Sequence, residues 1–150
     1  MKKAFVLFLS LFLAINLSAS HFIGGEITWE CNTDPSSPDY GKYTFLLTIY
    51  QDCDGIDFSF ISENLTVHNH PTLGFITCYF DTTVDISSTG ISGSQPCYNC
   101  DNQPFGQFGA VKQWVYRSDP IIITGSPPAA GWHFTWGSCC RSSQLTQGMN

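Results

Sequence analysis

Two cysteines bracket a short segment, Cys97-Tyr98-Asn99-Cys100, with a spacing that suits metal or redox chemistry. As a zinc knuckle the pair would draw further ligands from Cys139, Cys140 or His133. As a redox dithiol it would need a βαβ setting, which no part of this sequence predicts. The chain holds seven cysteines: Cys31, Cys53, Cys78, Cys97, Cys100, Cys139 and Cys140. In an exported protein such cysteines are disulfide candidates before they are metal ligands. Seven is odd, so one is free, bonded to another chain, or separated from its partner. Six paired cysteines connect in 15 ways, and any of the seven can be the odd one.

Asp52-Cys53-Asp54-Gly55-Ile56-Asp57 sets three carboxylates around a glycine turn. Asp52, Asp54 and Asp57 are therefore calcium candidates, since calcium takes six to eight oxygens. The order is not that of an EF-hand, and the closing bidentate glutamate is missing. The plainer reading is a solvated turn after a strand. His68-Asn69-His70 offers two imidazoles on one side of an extended segment, without a third ligand. No Gly-x-Ser-x-Gly elbow is present, and no carboxylate pair suggests a glycosidase. The expected protein is not an enzyme and needs no cofactor, calcium excepted. Trp132 and Trp136 are candidate sugar-stacking residues, although core packing is the commoner use of such side chains. Asn64-Leu65-Thr66 fits the N-glycosylation pattern.

The elements that must position these residues read as β throughout. Glu26 to Cys31 alternates polar and apolar residues, the period of a half-buried strand. Asn32 to Gly41 is a turn region. Lys42 to Gln51 carries bulk on both faces and is expected to be central in its sheet. Glu63 to Asn69 and Phe75 to Ile86 are further strands. Ala110 to Arg117 and Ile121 to Thr124 are strands split by Asp119-Pro120, and Trp132 to Trp136 leads the last strand toward Cys139-Cys140. Ser87 to Gly109 is irregular. No window shows helical periodicity. The fold class predicted is all-β: an antiparallel sandwich, Ig-like or related, of roughly seven or eight strands and supported by disulfides.

A hairpin of the first two strands puts Cys31 at its turn and Cys53 at the far end, roughly 30 Å away. A disulfide needs Cα atoms within about 7 Å. Cys53 is therefore expected to pair with another segment, Cys139 and Cys140 being candidates. Those two neighbours would face opposite sides of an extended chain and so take different partners.

The chain has 150 residues. Lys2 and Lys3 precede an apolar run from Ala4 to Ile15, and Ser18, Ala19 and Ser20 follow, the pattern of a secretory signal peptide. Removing residues 1–20 leaves a module of 130 residues and moves the formal charge from −6 to −8. The remaining basic residues are Lys42, Lys112, Arg117 and Arg141, too few for a phosphate-binding surface, so nucleic acid is excluded as a partner. No membrane span is expected in the mature chain. At 43% hydrophobic and 15% aromatic, the chain is too apolar to be disordered.

Ser20-His21-Phe22-Ile23-Gly24-Gly25-Glu26-Ile27 and the strand Tyr43 to Gly55, YTFLLTIYQDCDG, form a wider pattern. Ser118-Asp119-Pro120, Pro127-Pro128-Ala129, Gly131-Trp132 and Cys139-Cys140-Arg141 complete it. Together they resemble the opening module of large secreted surface proteins of Bacteroidetes-type bacteria, which often end in a gliding-motility-associated C-terminal domain. Those proteins typically read SHIVGGEI, then YRDC, then a Pro-Pro segment and CCRN. Here Gln51 stands for the arginine, Phe22-Ile23 for Ile-Val and Ser142 for the asparagine. The resemblance implies a non-catalytic module, secreted or at the cell surface, with an adhesive or structural role. Its expected partners are other surface proteins or glycans. It also implies further β-domains and a sorting domain, so this chain reads as truncated, a fragment, or a free-standing module. The second reading is a carbohydrate-binding accessory module that uses exposed tryptophan and calcium. Gly24-Gly25 is expected to ease entry into the first strand, and Arg141 to contact a carboxylate.

Overall fold

The structure is a computed structural model that describes residues 22–53, 55, 57–58, 60–87, 100–101 and 109–137. Six strands form among these residues: β1 (Phe22–Cys31), β2 (Tyr43–Asp52), β3 (Ser62–His68), β4 (Phe75–Asp85), β5 (Val111–Ser118) and β6 (His133–Thr135). All pairings are antiparallel. The described residues contain no helix, so none is long and apolar enough to cross a membrane.

Strand order is β1-β2-β5-β4-β3-β6. The run β1-β2-β5-β4 repeats the A-B-E-D sheet of an immunoglobulin-type sandwich, and β3 with β6 takes the places of C and F. Hydrogen bonding is continuous between the layers because β4 belongs to both. Its first half pairs with β3 and its second half with β5, with a bulge between Phe80 and Thr82. A bulge bends and twists a strand, and here it turns the corner of the sandwich.

The strand β2 sits between β1 and β5, as its two bulky faces predict. Phe45, Leu47 and Ile49 project into the core beside Leu65, Val67, Ile76, Cys78, Trp114 and Tyr116. Each such side chain contributes roughly 1.5–3 kcal/mol through burial. The layers close where Phe134 of β6 meets Phe45 of β2, ring centroids 4.7 Å apart. Trp29 of β1 lies 6.4 Å from the same Phe134 ring.

The turn between β1 and β2 holds itself together with side chains. Asp34 N–H donates to Asn32 Oδ1, Ser36 donates to Asp34, and Gly41 adopts φ 78°. In the β3–β4 turn the non-glycine Asn69 takes φ 66°, a conformation that asparagine tolerates. There His70 Nδ1 accepts from Leu73 N–H, and its Nε2 lies 3.0 Å from the Thr124 carbonyl. A ring that accepts at Nδ1 and donates at Nε2 is the neutral Nε2–H tautomer.

Six strands form among the described residues, while the expected seven or eight refer to the whole mature chain. One expectation needs correction. Ile121 to Thr124 is not a strand: only Ile121 pairs, in an isolated bridge to Tyr43. Pro120 has no N–H to donate, and Gly125 turns the chain at φ 97°.

Candidate functional site

Cysteine placement follows the strands. Cys53, one residue beyond β2, bonds to Cys100 with Cα atoms 5.1 Å apart. Its partner is thus in another segment, but it is not Cys139 or Cys140. The Asp85 carboxylate at the end of β4 accepts the Cys100 N–H at 2.9 Å, and the Cys53 N–H donates to the Ala110 carbonyl. The hydrogen bonds from the Ser87 hydroxyl and the Cys100 and Ser87 amides hold the Asp85 carboxyl below its usual range. Two disulfide candidates are instead free thiols. Cys31 lies at the turn end of the first hairpin, opposite Tyr43 and at the far end of β2 from Cys53. Cys78 faces the core between Glu63 of β3 and Ser118 of β5, and burial pushes its thiol up to about 11. Cys97, Cys139, Cys140 and Arg141 lie outside the described residues.

Of the calcium candidates, Asp54 lies outside the described residues. Asp52 is almost fully buried, and its carbonyl accepts the Gly55 N–H. Asp57 receives the Lys112 ammonium at 2.7 Å, so a protein cation already occupies a carboxylate that calcium would use. Among the described residues no three His, Cys, Asp or Glu side chains converge as a metal site. His68 and His133 oppose each other across β3 and β6. Their Nε2 atoms turn to Thr135 Oγ1 and the Ala130 carbonyl, respectively.

The tryptophans separate into different settings. Trp114 is core. Trp136 is half-buried, donates from Nε1 to Glu63 Oε2 at 3.0 Å and packs on Phe22. Trp132 packs on His70, and its buried Nε1 finds no partner among the described residues. The two sugar-stacking candidates therefore sit against different neighbours and do not form one platform. Trp29 leaves the larger surface to solvent, at 58% exposed.

The feature that residue types alone did not mark is an apolar ridge leading into β3. Phe58 is buried and touches Phe22, Phe60 and Trp114. Phe60 and Ile61 beside it are 55% and 83% exposed. The Ile61 carbonyl accepts the Phe80 N–H at the β4 bulge, and the half-exposed Phe80 ring packs on Trp114 and Tyr116. Phe60, Ile61 and Phe80 thus form an exposed strip supported from below by buried rings. The signal available in the sequence was two bulky apolar residues directly before a strand, with no alternation to turn them inward.

Comparison with protein-family models, curated proteins and solved structures finds no match in any of the three. Function must therefore be argued from this surface. A supported apolar strip favours association, because covering it removes hydrocarbon from water while the rings beneath stay fixed.

Proposed function

We propose that the chain is a non-catalytic, exported surface module whose work is adhesive or structural association with other cell-surface proteins or glycans. The observation that carries this reading is the exposed strip of Phe60, Ile61 and Phe80 on a disulfide-linked β-sandwich. Isolated exposed apolar residues are ordinary, but a contiguous group backed by rigid rings is a common mark of a contact surface. The leader-like start, the cross-link and the resemblance to the opening modules of Bacteroidetes-type gliding-motility-associated proteins support export to the surface.

The test is attachment of beads coated with the mature chain to cells of the producing organism. A Phe60→Ser, Ile61→Ser double variant is expected to lower attachment at least five-fold while keeping its far-UV spectrum. Unchanged attachment by the variant removes the reading. Retention on a glycan array that is lost in Trp132→Ala, or with a chelator, would favour the carbohydrate-binding module instead.

A further inference from the structure

The segment from Pro120 to Trp132 forms no strand and touches the sheet ladder only through the bridge at Ile121. Side chains of the β3–β4 turn hold it. The Asn69 side-chain amide donates to the Gly131 carbonyl at 3.2 Å. The His70 and Trp132 ring centroids are 5.0 Å apart, and His70 Nε2 donates to the Thr124 carbonyl at 3.0 Å. On the other side of the ring, Nδ1 accepts from the Leu73 amide at 2.9 Å and the Thr72 amide at 3.3 Å. One imidazole thus binds its own turn through a lone pair and the neighbouring segment through a proton. A doubly protonated imidazole donates at both nitrogens and accepts at neither. It could keep the Thr124 bond but not the other two, and the Leu73 and Thr72 amides would then face an N–H. Residues 69–75 and 120–132 contain no Asp, Glu, Lys or Arg to offset or repel the new charge. The flanking titratable groups are His68 and His133, which oppose each other across β3 and β6. In acid these add like charges directly opposite one another, which weakens the pairing.

We propose that His70 is an acid-operated latch: proton uptake at Nδ1 opens the β3–β4 turn and releases the 120–132 segment that it holds. Imidazole is the side chain whose charge ordinarily changes between about pH 5 and 8. The latch is therefore closed near neutrality and opens in mild acid. The sign follows from the bonding. The closed form accepts only the neutral ring, so it binds one proton fewer than the open form, and its stability falls as pH falls. Leu73 from the turn and Ile121 and Ile123 from the segment pack against the core. Opening loosens that packing and adds apolar surface at this corner of the sandwich. The latch involves none of the residues of the Phe60 strip and stands whether or not that strip is adhesive.

The test uses the full mature chain at pH 7.5 and pH 5.0 and has two readouts. One is hydrogen-exchange protection of the Leu73 amide, corrected for the intrinsic effect of pH on exchange. The other is acrylamide quenching of Trp132, taken as the difference between the native chain and Trp132→Phe. At the lower pH, Leu73 protection is expected to fall at least ten-fold and Trp132 quenching at least to double, while the Leu47 amide in β2 stays protected. In His70→Asn the side-chain oxygen can accept the turn amides at either pH, so Leu73 protection is expected to be equal at both. His133→Gln is expected to keep the ten-fold fall. Constant Leu73 protection in the native chain overturns the latch. So does a fall that survives in His70→Asn or vanishes in His133→Gln. Constant Trp132 quenching overturns release of the segment, and a parallel loss of protection at Leu47 overturns a local opening in favour of global acid unfolding.

Discussion

Trp114 Nε1 donates to Gln51 Oε1 at 2.8 Å, joining β5 to β2 inside the sandwich. Trp114 is buried, so its indole N–H relies on Gln51 in place of water. Removing Gln51 strands that donor, at a cost of about 1–3 kcal/mol. Gln51→Leu is expected to lower stability by that amount in urea denaturation. Trp114→Phe removes the donor as well as some ring area. The double variant Gln51→Leu, Trp114→Phe is expected to lose less than the two single losses combined, because no indole N–H is then left without an acceptor.

The adjacent glycines in β1 are not equivalent. A Cβ on Gly25 would come within 2.8 Å of the Thr48 carbonyl oxygen and against the Phe22 ring, whereas one on Gly24 meets nothing within 4 Å. Gly25→Ala must displace the β2 backbone or open the first ladder. A loss of roughly 1–3 kcal/mol is expected, the usual range for overpacking. Gly24→Ala is expected to shift the thermal midpoint by no more than a degree or two, and differential scanning of the pair checks the contrast.

Alkaline pH should destabilise the fold in two stages. The Cys78 thiol has an ordinary value of 9.0 and is raised by burial to about 11 in the folded chain. Below pH 9 both states keep the proton and the contribution is intact. Above it the unfolded chain loses the proton first, so stability falls as pH rises toward 11. Tyr116 behaves alike one unit higher: burial, with a smaller effect of Glu63, lifts its hydroxyl from 10.0 to about 12. Cys78→Ala is expected to delay the onset of the alkaline decline from about pH 9 to about pH 10. Urea midpoints at half-unit pH steps measure it.

Accessible thiols should separate cleanly. In the oxidised, folded chain an alkylating reagent is expected to label Cys31, which is exposed, and to reach Cys78 only on unfolding. The Cys53–Cys100 bond spans 47 positions. On the loop-entropy account its reduction costs roughly 4 kcal/mol, read as a lower denaturation midpoint for the reduced protein.

Strand positions were legible because alternation at Glu26–Cys31 and bulk on both faces of β2 reflect burial directly. The partner of Cys53 was not, since it depends on how residues 100–101 cross to the end of β2 and no local pattern encodes that path. Trp29 shows the limit most clearly. Its alternation with Glu30 assigns the inward side correctly, but whether an inward side is covered depends on how many strands the opposite layer holds. The Phe60–Ile61 strip was missed for a related reason: periodicity tells which residues share a face, and an irregular segment has no period to read.

The Phe22–Trp136 contact has a mechanical consequence. The chain enters β1 at Phe22, and Trp136 follows the last residue of β6, with their rings 5.4 Å apart. Entry and exit are therefore at the same end of the sandwich. Tension applied between these two points would not shear the nine paired positions of β1 and β2 together. It would peel β1 from its Phe22 end, one pair at a time, so the module would yield gradually at low force instead of rupturing at a single high one.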